Sequence, residues 1–253
     1  MTGCDARRKL LEVCIDSVES AEAAAQGGAD RIEACSDLAG GGLSPTPELF
    51  EAVRRRTALP ARAMVRPRAG DFLYSDAEKE IMLCEARRWA ASDADGIVCG
   101  ALLADGSIDC GFLREAVRAT PGKGHTLHRA FDLCADPEAA LEQAIELGFD
   151  TILTSGQQAT CAKGAALLAK LRTLARGRIA ILGGAGIDAA AIPAIHAAAG
   201  IVQFHMSGKK TVQSGMAFRR EGVPMGLPGM SEYERQATDA AKVAAAAEAL
   251  RRL

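Results

Sequence analysis

Eight short apolar runs recur along this 253-residue chain, and a helix-forming segment follows each of them. The runs are residues 10–16, 31–35, 62–67, 96–101, 125–131, 151–155, 179–183 and 202–207. Their spacing of roughly 30 residues matches a strand–helix–strand unit. Strands joined through helices pair in parallel with right-handed crossovers. Eight such units favour a closed (β/α)8 barrel of the TIM type, for which about 250 residues is ordinary, over an open doubly wound sheet. The first strand-to-helix turn also lacks the G-x-G-x-x-G of a dinucleotide-binding half. One domain is therefore expected over 1–253, with a core at about 9–208 and a C-terminal extension at 209–253 that ends in an Ala-rich helix over 231–253.

Local signals agree with this division. Ser17 precedes a helix with Glu19 in its first turn and Gly27-Gly28 at its end, an N-cap, a dipole-matched carboxylate and a C-cap in order. Asp136-Pro137 opens another helix that Gly148 closes. Apolar residues make up 49% of the chain but aromatics only 4%, so the layers must pack through Ala, Leu, Ile and Val. A net charge of −2 without a basic run gives no footprint for nucleic acid or an anionic membrane surface. The first nine residues lack the apolar centre of a signal peptide, and no apolar run is long enough to span a bilayer, so a cytoplasmic protein is expected. Eight scattered cysteines without a C-x-x-C pair read as free thiols of a reducing compartment.

Polar residues collect near the C-terminal ends of the strands, where barrel active sites are built. Glu12, Cys14 and Asp16 share one face of the first strand, and Arg31, Glu33 and Cys35 one face of the second. In the third run Arg66 and Arg68 stand two apart and are expected on the inner face, where a carboxylate such as Glu12 or Glu33 must meet them. The fifth contributes His128 and Asp132, and the eighth His205 and Ser207. Gly183, Gly184 and Gly186 follow the seventh strand, the usual phosphate position of a barrel, so they are candidates with Arg66 and Arg68 for holding an anion. Glu12 or Glu33 with His128 would supply proton transfer if the mouth is catalytic. Cys14 and Cys35 each stand two residues after a glutamate on adjacent strands, and equal offsets would bring two sulfurs together for a soft ion such as Cu(I).

Taken in order, Leu11-Glu12-Val13-Cys14-Ile15-Asp16-Ser17, Gly27-Gly28-Ala29-Asp30-Arg31-Ile32-Glu33, Gly41-Gly42-Leu43-Ser44-Pro45, the segment 66–76, His128-Arg129-Ala130-Phe131-Asp132, Ile152-Leu153-Thr154-Ser155-Gly156 and Phe204-His205 resemble the CutC family, named for copper homeostasis. The resemblance covers about residues 9 to 208. It implies a TIM-type barrel, a cytoplasmic location, a homodimer, and copper as ligand with Cu(I) at the cysteines matching Cys14 and Cys35. Ala34 stands where the family usually has leucine, and Ala69 where it has glycine. Three readings follow: a copper-binding homeostasis protein, a barrel enzyme (lyase, isomerase or hydrolase) acting on a small anionic metabolite, and a dimeric scaffold without catalysis.

Overall fold

The computed structural model describes residues 6–253 except 224 and 226–230. Eight parallel strands close into a barrel in sequence order: β1 (Leu10–Ile15), β2 (Arg31–Ala34), β3 (Ala61–Met64), β4 (Gly96–Cys99), β5 (Gly124–Leu127), β6 (Thr151–Thr154), β7 (Ala180–Gly183) and β8 (Gln203–Met206). Seven helices cross between them: α1 (Val18–Gln26), α2 (Pro47–Arg56), α3 (Asp76–Ala90), α4 (Cys110–Ala119), α5 (Pro137–Leu147), α6 (Ala165–Ala175) and α7 (Ala191–Ala199). An eighth helix, α8 (Ala240–Arg251), packs against α1, α7 and β1 and completes the outer ring.

Six of the eight helix starts are set by a side-chain cap, α6 and α7 being the exceptions. Ser17, Thr46, Asp109, Asp136 and Asp239 each accept a backbone N–H of the first turn. Ser75 and Glu78 form a reciprocal capping box at the start of α3.

The two-residue period of the strands separates two environments. Leu11, Val13 and Ile15 belong to the large apolar layer between barrel and helices, with Ala21 and Ala24 of α1. Each of the three strand side chains contributes about 1.5–3 kcal/mol by leaving water. The alternate residues face the interior, where Leu10, Leu153 and Leu182 form one small cluster and Cys14, Cys35, Met64 and Val98 another. Polar residues fill the rest. Arg62 donates to both oxygens of Asp150 at 2.8 and 3.0 Å and to Thr126 Oγ1 at 2.6 Å. Gly124 makes room for it, since a Cβ there would lie 2.4 Å from Arg62 Nη2.

Register decides which interior side chains meet. β2 is staggered by two residues against the offset expected from sequence, so Glu12 lies beside Arg31 and Cys14 beside Glu33. On the other side of β1, Glu12 lies beside His205 of β8.

Three expectations from sequence differ from the structure. The fifth run ends as strand at Leu127, not at 131, with His128 capping and Asp132 within the 3₁₀ turn that follows. The third run ends as regular strand at Met64, not at 67, because Pro67 offers no amide and the chain turns through Gly70 at φ +93°. The extension is not one long helix: β9 (Lys209–Gln213) and β10 (Glu234–Thr238) form an antiparallel pair outside the barrel, and α8 starts only at Ala240.

Candidate functional site

A cavity of about 930 Å3 opens at the C-terminal end of the barrel. Of the residues expected there, Cys14, Glu33, Arg66, His128, Asp132, Gly186, His205 and Ser207 line it. Arg129 also lines it, a residue adjacent to His128 that strand parity alone does not select.

The charged centre runs across β2, β1 and β8. Arg31 Nε donates to Glu12 Oε2 at 2.5 Å, and Glu12 Oε1 sits 2.8 Å from His205 Nδ1. Glu12 is wholly buried. Burial alone would raise its pKa, but Arg31 and then His205 outweigh this and hold it well below the usual carboxylate range. His205 Nε2 lies 3.7 Å from Glu33 Oε2. Burial disfavours a charged imidazole, yet Glu33, Cys14 and Glu12 together hold His205 well above its ordinary pKa. Glu33 is pushed up, first by burial and against the pull of His205. Its Oε1 has no hydrogen-bond partner among the described residues.

One atom each of Cys14, Glu33 and His205 lie within 4.8 Å of one another, a spacing that admits a single metal ion. Glu12 on Nδ1 leaves Nε2 directed at this group, the carboxylate–imidazole arrangement that orients metal-ligating histidines. Cys35 does not join the group. Its thiol donates to Glu33 Oε2 at 3.4 Å, and burial followed by the Glu33 charge pushes its pKa well above the ordinary thiol value. The two-residue stagger explains this: it sets Glu33, not Cys35, beside Cys14.

His128 follows β5 and caps a short 3₁₀ turn, Arg129–Leu133. Its Nδ1 accepts from the Ala130 N–H at 3.1 Å, so the ring proton of the neutral form resides on Nε2, which has no partner among the described residues. Burial, with Arg66 nearby, lowers its pKa to about 3 and keeps it neutral. The imidazole edge carrying Nδ1 and Cε1 lies over Gly100, where a Cβ would approach these atoms to 2.6 and 2.7 Å. Phe72 packs on the ring with centroids 4.8 Å apart. Asp132 accepts from Thr154 Oγ1, the amides of Ser155 and Gln157, and Arg129 Nε, and so ties the loop after β6 to the mouth.

The arginines differ from the sequence expectation. Arg66 is buried at the cavity but meets no carboxylate among the described residues. Its guanidinium donates to the carbonyls of Gly40, Gly42 and Gly70 at 3.2, 2.9 and 3.0 Å and lies 5.1 Å from the Phe72 ring centre. The glutamate–arginine bridge of the interior is made by Arg31 instead. Arg68 does not share the inner face: it turns outward to Glu78 and Asp71 and stacks on Tyr74. The two-residue alternation fails there because the strand has already ended. Gly183 and Gly184 do not line the cavity either. The Gly184 amide donates to Thr154 O at 3.0 Å, and a Cβ on Gly183 would come within 2.6 Å of Ile201 Cδ1, so this pair serves the sheet and its packing. Glu12, screened by Arg31 and His205, positions its neighbours and does not face the cavity.

Fold and mouth together define a (β/α)8 barrel with an ionised interior and a sulfur–carboxylate–imidazole group at its C-terminal end. The chain belongs to the CutC family, whose profile matches residues 9–210. It is 43% identical over 242 residues to a family protein CutC of Chromobacterium violaceum, covering 96% of this chain and 98% of that one. It is 44% identical over 238 residues to the human copper homeostasis protein cutC homolog, covering 92% and 86%. A crystal structure described as a copper homeostasis protein CutC from Streptococcus agalactiae superposes with a TM-score of 0.75 at 28% identity, covering 79% of this chain and 99% of that one. No helix among the described residues is long and apolar enough to cross a membrane. The seven cysteines among them are all free thiols, and Cys4 lies outside the described residues.

Proposed function

We propose that this chain handles copper by taking up one Cu(I) ion at the barrel mouth, through the Cys14 thiolate and His205 Nε2 with Glu33 alongside. The carrying observation is the approach of these three ligand atoms to within 4.8 Å, with Glu12 orienting the imidazole. Thiolate and imidazole suit a soft monovalent ion, and two donors satisfy it. Binding displaces the protons of the Cys14 thiol and of a protonated His205, so two positive charges leave for the one that Cu(I) brings. Cys35, held on Glu33, is the flanking thiol of the expected cysteine pair and contributes less than Cys14 in this arrangement. The relatives named for copper homeostasis support the assignment. We place the chain in the cytoplasm, in keeping with its free thiols, and as a homodimer, for which light scattering is the check.

Anaerobic titration against a chromogenic Cu(I) chelator tests the site. Wild-type protein should take up one equivalent, Cys14→Ser should lose stoichiometric uptake, and Cys35→Ser should retain it with weaker affinity. Full retention in Cys14→Ser would falsify the assignment.

A further inference from the structure

The cavity is far larger than one metal ion needs. About 930 Å3 lies in the range that holds a small organic ligand. Its lining away from Cys14 is mainly apolar, with Leu38, Phe72, Leu133, Leu153 and Ile187, and it carries a few convergent polar groups. Three of these stand on one wall of the cavity: His128, Arg66 and Arg129. His128 is 3% exposed, and its Nε2–H has no acceptor among the described residues. An unmade hydrogen bond on a buried donor is destabilising, and a ligand acceptor would relieve it. Arg66 is 6% exposed and carries its charge among carbonyls and an aromatic face, with no carboxylate among the described residues. Arg129 is held through Nε by Asp132 and through Nη2 by Ser155 Oγ. Both arginines line the same cavity as His128, and Arg66 and His128 touch the same Phe72 ring.

We propose that the His128–Arg129–Arg66 wall binds a small 2-oxo carboxylate, its carboxylate drawn to the guanidinium groups and its keto oxygen accepting the His128 Nε2–H. The donor's tautomer is fixed by the Ala130 amide, and Gly100 and Phe72 fix its plane. A neutral imidazole donates to a carbonyl oxygen without giving up its proton, so the wall polarises a bound keto group. The carboxylate supplies the anion that buried Arg66 lacks among the described residues. This site goes beyond copper uptake, since it uses none of Cys14, Glu33 or His205.

Calorimetric titration of the full chain, kept metal-free with a chelator, with 2-oxobutyrate and 2-oxoglutarate provides the test. A dissociation constant below about 1 mM is expected for at least one of them, well within what a few charge-assisted contacts supply. His128→Asn keeps the cap to Ala130 but places no donor at the Nε2 position, and should weaken binding at least tenfold. Arg129→Met should weaken it similarly. Gly100→Ala, which displaces the imidazole without removing it, is a second route to the same loss should the Asn variant fold poorly. Cys14→Ser should bind the oxo acid like wild type, which separates this site from the copper site. Nitrogen NMR of His128 should show Nε2 protonated throughout and shifted on ligand addition. Absence of binding at 10-fold higher concentration, or equal affinity in the His128 and Arg129 variants, would overturn the proposal.

Discussion

A neutral, fully enclosed His128 makes stability depend on pH in a calculable way. Its pKa is lowered to about 3 in the folded chain, against 6.5 for an exposed imidazole. The sign follows from linkage: the unfolded chain takes up this proton first, so the contribution is intact above pH 6.5 and is lost as pH falls toward 3. At pH 5 the gap is about 1.5 pH units, or about 2 kcal/mol, and below pH 3 it reaches about 5 kcal/mol. His128→Asn isolates this effect. Asparagine does not titrate, and its side-chain oxygen replaces Nδ1 as acceptor for the Ala130 amide. Other titrating groups are common to both proteins, so their slopes cancel in the comparison. Urea unfolding at pH 7.5 and pH 5.0 should show wild type losing about 2 kcal/mol more than the variant. Equal losses in the two proteins, or a His128 Cε1 proton titrating near 6.5, would refute the reasoning.

Three further outcomes are expected. Arg31→Met leaves the Glu12 carboxylate enclosed beside His205 alone and should cost about 3–5 kcal/mol in urea unfolding; a loss under about 1 kcal/mol would mean that His205 suffices. Cu(I) affinity should strengthen as pH rises, because His205 must shed the proton its carboxylate neighbours retain. Calorimetry in buffers of differing ionisation enthalpy should count one proton fewer released in His205→Asn than in wild type, and an equal count would remove His205 from the ligand set. Ser75→Ala breaks the capping box of α3 and should lower stability by about 1 kcal/mol, read as a fall in thermal midpoint; an unchanged midpoint would show that neighbouring packing alone holds the helix start.

Parity within a strand was legible in the residues, and it placed Glu12, Cys14 and Glu33 on the interior of the barrel. Lateral register was not, because no single strand carries information about its neighbour's offset. That offset turned an expected Cys14–Cys35 pair into Cys14 beside Glu33. Arg66 and Arg68 were separated by the end of the strand: one proline and a positive-φ glycine stop the alternation that made them look equivalent. β10 reads Glu-Arg-Gln-Ala-Thr, without the apolar alternation of a half-buried strand, so the hairpin was invisible beside an Ala-rich helix pattern. The eight-fold repeat of strands and helices, by contrast, is written many times over, and no one residue needs to be read correctly for it to emerge.

The Glu12–His205 contact joins residues 193 positions apart across the boundary where the last strand meets the first. A chain emerging from the ribosome exposes β1 and β2 long before β8 exists. Cys14 and Glu33 are then already made, but the imidazole that completes their ring of donors is still to be synthesised. On the copper reading proposed above, this donor set therefore forms only when translation is nearly finished and the ring has shut. Occupancy of the mouth would thus report, chain by chain, that folding has been completed.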